Sequence, residues 1–172
     1  MNTLTMYAAS VPLFTQTLTA LSKILDKAQS HAQTKGIDPA TLLNARLYPD
    51  MFTLTRQVQS VCDFSKGAVA RLASVEVPRY QDNESTFEEL RARIDKTLAF
   101  IASTAQEKID GSEERDVALR FGGRDLKFKG QTYLLSFAVP SVTFHMSIAY
   151  AILRHNGVEL DKADFLRGVE GF

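Results

Sequence analysis

His145 lies four residues after Ser141 inside a stretch, residues 130–153, that contains no Asp, Glu, Lys or Arg. On a helix that spacing puts both side chains on one face, where they could hold a common ligand. An imidazole in apolar surroundings can act as a general base, coordinate a divalent metal, or hydrogen-bond to a core partner. Coordination takes three or four N, O or S donors and this stretch supplies one good one, which favours the hydrogen-bonded core histidine. Gln57, with Asp50 two turns before it on the second apolar seam, would point an amide and a carboxylate towards one flank, and either could face His145. The competing expectation for Asp50 is electrostatics at a helix N-terminus, and for Gln57 a solvated position at the seam's edge.

The remaining reactive side chains read as structural. Cys62 sits beside Val61 where a small buried residue is expected, with nothing nearby in sequence to lower its pKa, so inert packing is expected. Asp63, Lys66 and Arg56 read as a solvated helix face with weak pairing. His155-Asn156-Gly157 has the composition of a helix C-terminus, a cation near the negative dipole end followed by a left-handed cap. Tyr150 and Tyr48 read as core or rim aromatics whose hydroxyls reach a partner, and His31 as an exposed residue. The phosphate loop, HExxH, GxSxG and the ExxH pair of di-iron bundles are absent from the sequence.

To position such residues the chain must build a core, and 172 residues at 19.1 kDa suffice for one domain, 1–172, without disulfides or a structural metal. Acidic and basic residues balance at 20 each, so no overall field recruits nucleic acid or anionic lipid. A single cysteine fits a reducing compartment, and a cytoplasmic location is expected. The uncharged N-terminal stretch lacks a basic start and is interrupted by polar residues and Pro12, which argues against a signal peptide. Residues 130–153 are long enough to cross a bilayer at about 20 residues. Gln131, Ser136, Pro140, Ser141, Thr143, His145 and Ser147 make them too polar for an isolated span, and the central, most buried helix of a soluble bundle is expected instead.

Periodicity supplies the other elements. Val11, Phe14, Leu18, Leu21 and Leu25 predict a helix over about 10–32 with Ser10 as N-cap, and a short helical turn follows Asp38-Pro39. Met51, Leu54, Val58, Val61, Ser65, Ala68 and Leu72 predict a second helix over about 49–73, opened by Pro49 and Asp50. Phe87, Leu90, Ile94, Thr97, Ile101 and Ala105 predict a third over about 85–108. Val117, Leu119 and Phe121 then alternate, Gly122-Gly123 offers a turn, and Leu126 and Phe128 alternate back, which predicts a hairpin. A fourth helix, kinked near Pro140, carries Leu134, Ala138, Ser141, His145, Ile148 and Ile152 on its core stripe. Leu160, Phe165 and Leu166 would pin the tail to the resulting four-helix bundle.

The four-helix order, Pro49-Asp50-Met51-Phe52 with Gln57, the pair Phe144-His145, and the ending Ala149-Tyr150-Ala151-Ile152-Leu153-Arg154-His155-Asn156-Gly157-Val158 with Asp164-Phe165-Leu166 resemble a DinB-like protein. The nearest branch is the domain-of-unknown-function family numbered nineteen ninety-three, and the resemblance covers nearly the whole chain. It implies an all-α DinB/YfiT-like four-helix bundle with a small β-hairpin between the third and fourth helices. Many of these bundles bind nickel or zinc through three histidines, and some are thiol-dependent transferases or isomerases. Carried onto this chain, the three ligand positions fall on Gln57, Ser141 and His145. Gln and Ser are weak neutral ligands for such ions, so the resemblance implies a degenerate site holding at most a weakly bound nickel or zinc ion on His145 and Gln57. The expected function is a small-molecule-binding or stress-related accessory protein. Its pocket would be formed by Asp50, Gln57, Ser141, His145 and Tyr150. The alternative is a metal- or thiol-dependent transferase or hydrolase with His145 as base or sole strong ligand. The family also implies a homodimer formed through an exposed helix face; the balanced charge and the polar residues within 130–153 lead to the expectation of neither nucleic acid nor membrane as partner.

Overall fold

A computed structural model describes residues 4–169 and 171, which are mostly helical with one two-stranded hairpin. The first seam holds in full: Val11, Phe14, Leu18, Leu21 and Leu25 are buried along α1 (Val11–Lys35). Ser10 occupies the N-cap position, but its hydroxyl donates backwards to the Met6 carbonyl at 2.6 Å instead of capping. Asp38 caps the short α2 (Pro39–Leu43) by accepting from the Ala40 amide at 2.9 Å.

α3 (Leu54–Leu72) starts later than the apolar pattern suggested. Arg46 holds the Pro49 and Met51 carbonyls at 3.1 and 3.2 Å, which fixes those residues in a turn, and Thr53 is the true N-cap, its hydroxyl accepting from the Arg56 amide. Asp50 is therefore an exposed turn residue and not a charge in the first turn of a helix. α4 (Phe87–Ser103) opens with a complete capping box between Thr86 and Glu89. It ends before the expected 108 because the Ser103 and Thr104 hydroxyls both donate to the Phe100 carbonyl, competing with helix continuation. A separate short α5 (Gln106–Ile109) follows, and Ala105, expected on the seam, is exposed.

The hairpin pairs β1 (Asp116–Phe121) with β2 (Arg124–Lys129), Phe121 opposite Arg124. Its two-residue turn needs positive φ twice, which Gly122 (57°) and Gly123 (78°) provide. Gly130 joins the strand to the next helix, and a Cβ there would sit 1.9 Å from the Ser112 carbonyl oxygen.

The helix that follows runs from Gly130 to His155 as α6 (Gly130–Tyr133), a π-helical turn (Leu134–Ala138) and α7 (Val139–His155). A π turn takes up one extra residue, so every position beyond it is rotated relative to an unbroken helix. For that reason the buried stripe is Leu134, Ala138, Val142, Met146, Ala149, Ile152 and Leu153. Ser141, His145 and Ile148, expected at its centre, lie half-buried along its edge. The expectation of a central, fully packed helix also fails: only 28% of its most apolar 18-residue window is buried, although by length and composition it could cross a membrane.

In cross-section the long helices follow the order α1, α4, α3, α7, with α3 packed most extensively on α7. After the cap at Asn156-Gly157, Leu160 is buried, Phe165 packs on the core, and α8 (Lys162–Phe165) lies against α1. The fold is thus an all-α four-helix bundle with a small hairpin between its third and fourth long helices.

Candidate functional site

The extensive α3–α7 packing brings Gln57 and His145 together. The Gln57 side-chain oxygen lies 2.7 Å from His145 Nδ1, and Gln57 Nε2 points at the Phe52 carbonyl, 3.5 Å away. An amide nitrogen directed at a carbonyl orients the amide, so its oxygen can only accept and Nδ1 must carry the proton. The other ring nitrogen, Nε2, is then the lone-pair acceptor of a neutral imidazole. Burial, followed by the nearby Arg56 charge, lowers the His145 pKa from its ordinary 6.5, which favours that neutral form.

Aromatic side chains wall the imidazole. Phe52 and Phe64 lie nearly parallel to it, at 13° and 19° with centroids 6.3 and 5.3 Å away, and Phe144 meets it edge-on at 5.2 Å. Phe52 and Phe144 are half exposed, at 50% and 56%, so the walls open to solvent. Gln57, expected at a solvated rim, is instead buried, which commits its amide to the His145 and Phe52 partners.

The other expected pocket residues are placed differently. Ser141 donates to the Phe137 carbonyl at 2.6 Å, a bond back along its own helix at the π turn, so its proton is spent locally. Tyr150 turns towards the tail, donating to the Leu160 carbonyl at 3.2 Å with Phe165 edge-on to its ring; it secures the C-terminal segment. Asp50 remains in its exposed turn. Cys62 is fully buried and burial pushes its thiol up to about 12, so no reactive thiolate forms there.

A second polar centre escaped the sequence reading. Arg93 is buried on α4, with Nη2 2.7 Å from Asp63 and 3.0 Å from Asp82, and Nη1 2.9 Å from Glu84 and 3.1 Å from the Gln81 carbonyl. Lys66 pairs with Asp63 and Arg56 with Asp82, and Gln59 donates to Glu84. Asp63, Lys66 and Arg56 are therefore part of a network and not a loosely solvated face; the side chain of Lys66 is only 6% exposed. Lys66, Lys96 and Arg93 also crowd the Tyr80 ring at 4.6, 4.3 and 5.3 Å. Clefts of about 520 and 590 Å³ flank Tyr80. Burial opposes the Arg93 charge, but Glu84 and Asp63 outweigh it and raise the pKa, holding the guanidinium protonated. Each carboxylate has a cationic partner, so this centre staples the 75–86 connection to α3 and α4. The polar run 81–84 carried a signal for it, but nothing in the seam pattern marked Arg93 as inward-facing.

The donors do not fit a tight nickel or zinc centre. Of the three ligand positions only His145 offers a strong donor, its Nδ1 is engaged by Gln57, and the Ser141 proton is directed into the backbone. Among the described residues, no group of three His, Cys, Asp or Glu side chains could hold a metal ion.

Residues 6–166 match the model of a domain of unknown function, DUF1993. The chain is also similar to the crystal structure of a DinB family member protein from Shewanella denitrificans, with 36% sequence identity and a TM-score of 0.85. That likeness covers 96% of this chain and 93% of the other. No curated protein matches.

Proposed function

We propose, from the premise that this chain belongs to the DUF1993 family of DinB-like bundles, that it is a small-molecule-binding accessory protein whose site is the aromatic-walled His145–Gln57 pair. The observation that carries this reading is the 2.7 Å contact between Gln57 Oε1 and His145 Nδ1. It fixes the tautomer and leaves Nε2 to accept from a ligand N–H or O–H, while Phe52, Phe64 and Phe144 suit a flat apolar body. The ligand class is a neutral aromatic molecule with one donor. A metal-dependent transferase or hydrolase receives no support from the donor set.

Phenol and indole are the simplest probes of that chemistry. Titrating either into the protein should shift the NMR signals of the His145 ring and of the Phe52 and Phe64 rings, with His145→Phe and Gln57→Leu each weakening binding about tenfold or more, the loss of roughly one hydrogen bond. Saturable binding of one zinc or nickel ion per chain, lost in His145→Ala, would overturn the reading in favour of a metal site. So would the absence of any response to both probes.

A further inference from the structure

The cleft of about 590 Å³ beside Tyr80 has Asp63, Lys66 and Arg71 of α3 on one wall and residues 76–80 with Asp82 of the following connection on the other. The Arg93 network accounts for two of its carboxylates: Asp63 is held by Lys66 and Arg93, and Asp82 by Arg56 and Arg93. Two of its cations have no such partner. Among the described residues neither Arg71 nor Arg79 pairs with a carboxylate, and Arg79 lines the clefts on both sides of Tyr80. Lys66 is buried, and its ammonium, with three protons to donate, has Asp63 as its one oxygen acceptor among the described residues.

The placement of Arg71 is built into α3. Gly67 lies one turn before it in the helix interior, where glycine is less favourable than alanine, and a Cβ there would sit 2.5 Å from Arg71 Nη1. The missing side chain lets the guanidinium fold back along its own helix, over the Tyr133 ring, with Nη1 donating to the Tyr133 hydroxyl at 3.2 Å. A guanidinium carries five N–H donors, so most of its fork stays available. Across the cleft and the ion pairs behind it, Arg56, Lys66, Arg71, Arg79 and Arg93 face the carboxylates of Asp63, Glu76, Asp82 and Glu84. One positive charge is left over, and exposed Glu76 is the one carboxylate of the cleft not already held by a cation among the described residues.

We infer that this cleft is an anion site for a phosphate group, carried by inorganic phosphate or by a phosphomonoester. Two guanidinium forks and an ammonium match the several oxygens of a tetrahedral dianion, which they attract more strongly than a monovalent carboxylate. Val77 and Pro78 give the organic part of an ester an apolar surface to lie against. The cleft shares no lining residue with the His145 site, and the inference does not rest on that site's proposed ligand.

Inorganic phosphate and glycerol 2-phosphate, titrated at constant ionic strength and about pH 7.5, where both are largely dianionic, should saturate one site per chain by calorimetry. The NMR amide signals of Lys66, Arg71 and residues 76–82 should shift. Arg79→Gln, at an exposed position, should weaken binding about tenfold, and Arg71→Gln at least as much. Glu76→Gln should tighten it severalfold by removing the competing carboxylate. Where Arg71→Gln impairs folding, Gly67→Ala replaces it: the helix is kept, the flexible end of Arg71 is displaced, and binding falls while the thermal midpoint without phosphate does not. His145→Phe should leave phosphate binding unchanged. Tighter binding of the ester identifies an organic phosphate as the ligand, and equal binding the free ion. Absence of saturation would overturn the inference, as would an equal response to chloride or acetate, or binding that survives Arg71→Gln and Arg79→Gln together.

Discussion

The chemistry of His145 turns on a single acceptor. Gln57 fixes the proton on Nδ1 and a lowered pKa keeps the ring neutral. A histidine whose folded pKa lies below its unfolded 6.5 binds fewer protons folded than unfolded, so its contribution to stability is complete above pH 6.5 and is lost as pH falls from there through the folded value. Urea denaturation across that range should show the decline, and His145→Phe should flatten it. NMR titration of the ring should give a pKa below 6.5, and Gln57→Glu should raise it by placing a carboxylate on Nδ1. A folded pKa at or above 6.5 would exclude the neutral-acceptor reading. Cys62 should resist thiol reagents in the native state and react fully only on unfolding, which a colourimetric thiol assay with and without denaturant would show.

Individual elements owe their boundaries to side chains that periodicity does not weigh. The seams of α1 and α3 and the Gly-Gly hairpin turn were legible because apolar spacing and positive φ leave direct marks on residue type. The start of α3 was not, because Arg46 ties down the carbonyls of Pro49 and Met51 from outside the pattern. The π turn likewise has no mark in residue type, yet it rotates α7 and moves His145 from the centre of the stripe to its edge. The joint between β2 and α6 offers a sharp test. Gly130→Ala would drive a methyl into the Ser112 carbonyl, and thermal or urea unfolding should show a loss of about 3 kcal/mol or more. Stability within about 0.5 kcal/mol of the parent would show that the joint relaxes freely.

Across the whole molecule, two features hold the bundle in register besides its apolar core: the Tyr150 and Asp164 contacts of the tail, and the Arg93 network beneath Tyr80. Removing a buried cation from several carboxylates leaves them uncompensated, so Arg93→Ala should cost about 3 kcal/mol in urea unfolding. A double cycle with Asp63→Asn should recover part of that loss, because one of the stranded charges is then gone. Additive losses would mean the network is a set of independent surface pairs.

Residue type and spacing were enough to determine the all-α bundle with its hairpin, and to single out His145 and Gln57, since apolar periodicity encodes which face each helix must bury and an isolated imidazole in an uncharged segment stands out. Tertiary structure alone decided that the two meet, that Tyr150 and Asp50 lie elsewhere, that Arg93 is buried, and that the most apolar helix leaves a face open. Each of these depends on how one helix is rotated against another, and rotation is set by packing between elements distant in sequence.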